Sequence, residues 1–189
     1  MQKIAFIFPG QGSQTVGMGL ELYKNHVKAK EVFDAVDEAL NQKLSKIIFY
    51  GDEEQLKLTS NTQPALMAVS IAMVKVLENE LGKKLTEFTE IVLGHSLGEY
   101  TSLCSIDSLD ISSAAKLLRI RGDAMQNSVK DVETSMVAVI GMELQEIENE
   151  LNNSKLAKNE ICEIANDNCP GQVILSGTKS LVQSISQKL

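Results

Sequence analysis

Five residues near the middle of the chain, Gly94-His95-Ser96-Leu97-Gly98, restrict the backbone more than any other stretch. They spell G-x-S-x-G. Before them, Glu90-Ile91-Val92-Leu93 reads as a short buried strand; after them, Glu99-Tyr100-Thr101-Ser102-Leu103 reads as the first turn of a helix. A strand that turns at once into a helix must reverse sharply, and the serine at the apex is then strained, with its hydroxyl lifted off the sheet. Glycines two positions to either side remove side chains that would collide across the turn. The helix that follows aims its free N–H groups and positive dipole end at the same point. The bare five-residue pattern arises by chance in roughly one chain in twenty of this length. The flanking strand and helix therefore carry the discrimination, and a glycine-rich turn with an idle serine is the alternative.

The rest of the chain alternates strands and helices. Lys3 to Phe8 is apolar after the lysine and closed by Pro9-Gly10, which predicts a buried parallel strand. In Pro9-Gly10-Gln11-Gly12-Ser13-Gln14, two glycines bracket Gln11. They allow a close backbone approach or a positive φ, and an ordinary strand-to-helix loop is equally compatible. The stretch lacks the lysine and spacing of a phosphate loop. Residues 18–40 are expected to be helical. Asn61-Thr62-Gln63-Pro64 reads as a helix start, and the helix running to about Leu81 is apolar on nearly all sides, so burial is expected. A further helix opens at Asp110-Ile111-Ser112 with an apolar stripe of Ala114, Leu117, Leu118 and Met125 that also contains Arg121. An arginine on such a stripe needs an acidic partner or a ligand, or must reach out to solvent. Arg119 is expected to point away from that stripe.

Beyond a polar linker at 128–133 the pattern changes. Met136 to Ile140 reads as a strand, and Leu144, Ile147 and Leu151 mark a helix. Glu160 to Asn166 and Gln172 to Gly177 read as two strands around a turn, and Leu181, Val182, Ile185 and Leu189 mark a last helix. The order β-α-β-β-α is a ferredoxin-like unit without its last strand, which leaves an open edge.

Composition bounds the function. The 189 residues are 43% hydrophobic and 23% charged, as expected of a globular protein able to bury a sizeable core. A net charge of −7, with no basic run, argues against nucleic-acid binding. Three widely spaced cysteines, Cys104, Cys162 and Cys169, disfavour a disulfide framework or a zinc site and suit reduced cytosolic thiols. The N-terminal apolar run is too short for a signal peptide and nothing approaches a membrane span, so a cytoplasmic protein is expected.

Five motifs occur in order: Phe8-Pro9-Gly10-Gln11-Gly12-Ser13-Gln14, Asn61-Thr62-Gln63-Pro64-Ala65, Gly94-His95-Ser96-Leu97-Gly98-Glu99-Tyr100, Arg121-Gly122 and Asn166-Asp167-Asn168-Cys169-Pro170-Gly171-Gln172-Val173. Taken together, the chain closely resembles the malonyl-CoA:acyl carrier protein transacylases of bacterial fatty-acid synthesis and related acyltransferase domains, over its whole length. The resemblance implies an α/β fold: an α/β-hydrolase-like core with a parallel sheet, here residues 1–127, and an inserted ferredoxin-like subdomain, here 134–189, both incomplete. It implies that Ser96 is the nucleophile, that the backbone N–H groups of Gln11 and Leu97 form an oxyanion hole, and that Arg121 pairs with the malonyl carboxylate, in place of an internal ion pair. The implied partners are malonyl-CoA and an acyl carrier protein bearing phosphopantetheine, with no metal or redox cofactor. The implied reaction is ping-pong, through a malonyl-serine ester.

The chain departs from the pattern in one respect. The family's base is a histidine beyond the ferredoxin-like insert, and the two histidines here, His26 and His95, match neither its position nor its role. The expectation is an N-terminal portion of a longer enzyme that by itself turns over poorly. A serine hydrolase shares the Ser96 turn but not the Gln11 motif or Arg121. A fragment that binds carrier protein or coenzyme A without turnover fits the absent histidine. Docking an acidic carrier would need a basic patch, with Lys116 and Arg119 as candidates. Asn166 and Asn168 either line the cleft or shape a turn.

Overall fold

The strand before the serine pairs with the first strand of the chain. β1 (Ala5–Phe8) and β2 (Ile91–Gly94) run parallel, from Ala5 beside Ile91 to Phe8 beside Gly94. The computed structural model describes residues 3–129, 132–154 and 160–188, and the chain divides into two units between Ser128 and Val129.

In the first unit, side chains alternate across the two strands as the pleat requires. Phe6, Phe8 and Val92 turn inward onto Val74, Leu85 and Phe88. Ile7 and Leu93 turn outward and stay 73% and 52% exposed. The expected burial of both strands therefore holds for one face only.

The helices are α1 (Leu20–Asn25), α2 (Val27–Leu40), α3 (Leu44–Tyr50), α4 (Glu53–Lys57), α5 (Thr59–Leu81), α6 (Leu97–Ser105) and α7 (Ile111–Asn127). The single helix expected over 18–40 is broken at His26, whose backbone is extended. The main core joins Phe33 and Val36 of α2, Leu44 and Ile48 of α3, Met67 and Ile71 of α5, Leu97 of α6 and Leu118 of α7. Asp37 is buried among them and accepts hydrogen bonds from the Ser45 N–H at 2.8 Å and the Ser45 hydroxyl at 2.6 Å, so its carboxylate is solvated by protein dipoles.

α5 departs from expectation at both ends. It starts at Thr59, so Asn61 and Gln63 lie inside its first turns and are buried, and Pro64 falls within the helix. Asn61 does not cap; its amide donates to the Gln55 carbonyl at 2.8 Å. Toward its C-terminal end, Met73 and Leu81 are exposed. Met73 lines an open groove of about 660 Å³ together with Leu22, Val69 and Leu77.

The second unit is antiparallel. β3 (Thr134–Ile140), α8 (Leu144–Asn153), β4 (Cys162–Cys169), β5 (Gln172–Thr178) and α9 (Lys179–Ser186) follow the expected order, and the sheet runs β3-β5-β4. Ile147, Leu181, Val182 and Ile185 pack on Val139, Val173 and Leu175. β4 continues through Asp167 and Asn168, where a turn was expected, by absorbing two register shifts; the reversal is confined to Pro170-Gly171. Residues 130 and 131 of the expected linker, and Leu189 of the expected last helix, lie outside the described residues.

Candidate active site

Ser96 occupies the strand-to-helix turn with φ 56° and ψ −114°, a backbone conformation that a residue with a Cβ rarely adopts. The turn is as tight as the motif requires. A Cβ on Gly94 would stand 1.9 Å from the Gly98 carbonyl group, and one on Gly98 would stand 2.4 Å from the Phe8 carbonyl oxygen. A Cβ on Gly10 would stand 2.5 Å from His95 Nδ1. The loop leaving β1 and the turn leaving β2 thus touch backbone to backbone, and the His95 N–H donates to the Phe8 carbonyl at 3.1 Å. Of the two glycines around Gln11, Gly10 serves close approach and Gly12 serves a positive φ of 121°. Among the described residues, the backbone N–H groups of Gln11 and Leu97 have no acceptor.

Arg121 reaches this turn from α7. Its Nη2 donates to Ser96 Oγ at 3.0 Å, and its Nη1 donates to Gln63 Oε1 at 2.7 Å and approaches Met125 Sδ at 3.4 Å. Among the described residues, the ion pair that the residue pattern allowed is not made: none of these partners is acidic. Among the described residues, no histidine or carboxylate hydrogen-bonds the Ser96 hydroxyl.

α7 is zipped to the start of α5. Arg119 Nη1 donates to Asn61 Oδ1 at 2.8 Å and Nη2 to Gln42 Oε1 at 2.7 Å. Arg121 and Gln63 repeat that link two residues along each helix. The Thr59 N–H donates to Gln126 Oε1 at 3.3 Å, and Gly122 lets the two backbones meet. The expected stripe on α7 is thereby corrected. Ala114, Ala115, Leu118 and Gly122 are buried, whereas Leu117 and Met125 are exposed. Arg119, expected to point away, is held inward, where burial pushes its guanidinium below its ordinary value. It is not free to bind an acidic partner, and Lys116 stays exposed.

Gln63 and Met125 stand against Arg121, although the pattern alone did not single them out. The available signal was polar: Asn61, Thr62 and Gln63 open an otherwise apolar helix, and a buried polar run demands partners. Asn166 and Asn168 lie in β4, in the second unit. Among the described residues, no cluster of three or more His, Cys, Asp or Glu side chains could hold a metal ion, and no helix is long and apolar enough to cross a membrane.

Residues 5–189 match the acyl transferase domain family. The chain is 43% identical over 187 residues to a malonyl CoA-acyl carrier protein transacylase of Bacillus subtilis, covering 99% of this chain and 57% of that one. Among solved structures, it resembles an acyl-carrier-protein-S-malonyltransferase from Bartonella henselae, with 46% identity, a TM-score of 0.89, and 99% and 60% of the two chains covered. It also resembles a malonyl-transacylase solved in complex with its type II PKS acyl-carrier protein, with 33% identity, a TM-score of 0.86, and 98% and 58% covered. The chain thus spans somewhat more than half the length of these relatives. With the family's domain matched from residue 5 to residue 189 and the mixed α/β fold shared with these enzymes, the chain belongs to the acyl transferase domain family.

Proposed function

We propose that the protein transfers a malonyl group from coenzyme A to the phosphopantetheine thiol of an acyl carrier protein, through an ester on Ser96. One observation carries the reading: Arg121 Nη2 stands 3.0 Å from Ser96 Oγ, and its other partners are neutral. A malonyl ester on Oγ carries its free carboxylate three bonds away, within about 4 Å. That is the reach of a guanidinium already seated beside Oγ, and a planar guanidinium holds a carboxylate through two parallel bonds. An acetyl ester offers it nothing.

Ser96 Oγ attacks the thioester carbonyl and loses its proton to a base. The tetrahedral oxyanion is stabilised by the backbone N–H groups of Gln11 and Leu97, two donors with no competing acceptor among the described residues. The C–S bond breaks and coenzyme A leaves with a proton. The carrier thiol then attacks the Ser96 ester by the same route in reverse, with the Oγ–C bond breaking. The acyl group moves between oxygen and sulfur with no change of oxidation state, so the steps call for no redox cofactor. Three free cysteines accord with a reducing cytoplasm.

Intact-mass measurement after brief mixing with malonyl-CoA tests the proposal. Because neither histidine matches the family's base, the 189 residues are expected to gain one malonyl group slowly, to pass it slowly to added holo carrier protein, and to gain none as Ser96→Ala. Release of free malonate without transfer would assign a hydrolase. Absence of any adduct even after prolonged mixing would overturn acyl transfer through Ser96.

A further inference from the structure

The chain contains two arginines, Arg119 and Arg121, against sixteen lysines. Both arginines lie on α7, and both are gripped by side-chain amides at the start of α5. The grips differ in one respect. Arg119 is tied at both ends, to Asn61 and Gln42. Among the described residues, Arg121 is tied to protein amide only at Nη1, and its Nη2 edge faces Ser96.

Gln63 is the fixed point of that second grip. It is 0% exposed and sits in the second turn of a long helix packed into the core. A guanidinium can only donate, so the Gln63 carbonyl oxygen must face Arg121, and the amide nitrogen is left to donate elsewhere. It donates to Met125 Sδ at 3.3 Å. The same sulfur receives Arg121 Nη1 at 3.4 Å, so Arg121, Gln63 and Met125 close a triangle. A thioether is a weak acceptor. The triangle therefore fixes the plane of the guanidinium while leaving its positive charge uncompensated.

We infer that Gln63 is a positioning residue: it orients Arg121 toward an acyl group on Ser96 and, by being neutral, reserves the guanidinium charge for a carboxylate of the substrate. This rests on the malonyl reading above. An acidic residue at position 63 would orient the arginine equally well but neutralise it. A residue without an acceptor would leave it charged but loosely held.

The test uses the chain labelled with 15N-arginine, whose spectrum contains only two guanidinium groups. Sodium malonate and sodium acetate are the probes. Wild-type Arg121 is expected to show restricted rotation of its Nη groups, and malonate is expected to perturb Arg121, leave Arg119 unmoved, and bind more tightly than acetate. Gln63→Leu should release the rotation and weaken malonate binding about tenfold. Gln63→Glu, nearly isosteric, should keep the rotation restricted yet weaken malonate binding by at least about tenfold, which a purely structural role would not produce. Thermal unfolding checks that each variant is folded; if Gln63→Leu is not, Gln63→Glu decides alone. Wild-type malonate affinity in Gln63→Glu, or unchanged Arg121 rotation in a folded Gln63→Leu, overturns the inference. Rotation that depends on Gln63, with malonate binding neither better than acetate nor near Arg121, would uphold positioning and bring down the malonyl reading alone.

Discussion

Gly122 rests directly on Ser60: a Cβ built on the glycine would stand 2.5 Å from Ser60 Cα and 2.7 Å from the Thr59 carbonyl oxygen. Both obstacles are backbone, so neither can swing aside. Gly122→Ala must push α7 off the start of α5, and the Arg119–Asn61 and Arg121–Gln63 links move with it. Overpacking of this kind destabilises by about 1–3 kcal/mol, which lowers the melting temperature of a chain this size by about 3–10 °C. Thermal denaturation followed by circular dichroism checks this; an unchanged midpoint would show that the helices can separate without penalty.

Ser96 holds a positive φ only because the packed strand and helix impose it. Glycine adopts such a conformation without the Cβ clash, and alanine does not. Ser96→Gly is therefore expected to be more stable than Ser96→Ala by about 1–2 kcal/mol, although both lose the hydroxyl. Urea denaturation of the pair measures the difference, and equal midpoints would mean that the turn stores no strain.

The three thiols should react in a set order. Burial pushes the Cys104 thiol up to about 11 and also raises that of Cys162, next to the charge of Glu163, whereas Cys169 is exposed in the β4–β5 hairpin. At about pH 8, only about one part in a thousand of Cys104 is thiolate. Iodoacetamide should label Cys169 first and leave Cys104 intact until the first unit unfolds. Peptide mapping of a time course reads the order; early labelling of Cys104 would contradict its burial.

Asp107 joins Lys84 at 3.0 Å and Lys75 at 3.2 Å, and the hydrogen bond from Lys84, opposed by burial and supported by the hydrogen bond from Lys75, holds its carboxyl below the ordinary value. The depressed folded-state pKa makes its stabilisation present above the unfolded value and lost as pH falls through the folded one. The carboxylate is more than half exposed, so screening keeps the effect to at most about 1 kcal/mol. Asp107→Asn should lose that much at about pH 7, and the gap to wild type should close as the pH falls below the unfolded value of about 4. Denaturation at both ends of this range tests it; a gap that persists in acid would assign the effect to the turn backbone, where Asp107 has φ 58°.

Much of the fold was legible in the residues. The run Ile91 to Gly98 encodes its own conformation, because glycines at 94 and 98 are the only residues that fit where backbone meets backbone. The strand and helix order of the second unit followed from apolar spacing of 2 and 3.6 residues. Arg121 was conspicuous as a charge on an apolar stripe. Less legible were the features that depend on which side of an element meets a neighbour. Periodicity located α7 and its buried Ala114 and Leu118 but not the rest of the stripe, since Ala115 is buried too and Gly122 is buried by close approach to α5, while Leu117 is left outside.

The start of α5 illustrates the division most clearly. Asn61 followed by an early proline has the local chemistry of a helix cap, and local chemistry is all that a short stretch expresses. Packing against α7 moved the helix start back to Thr59 and drew Asn61 and Gln63 inward as acceptors for two arginines some 58 residues away. The sharp turn at Ser96 is a short-range steric property, and so it can be read from five consecutive residues. The seating of Arg121 between Gln63, Met125 and Ser96 is a long-range one, created only when two helices and a turn are brought together, because a buried hydrogen bond finds its partner in space and not along the chain.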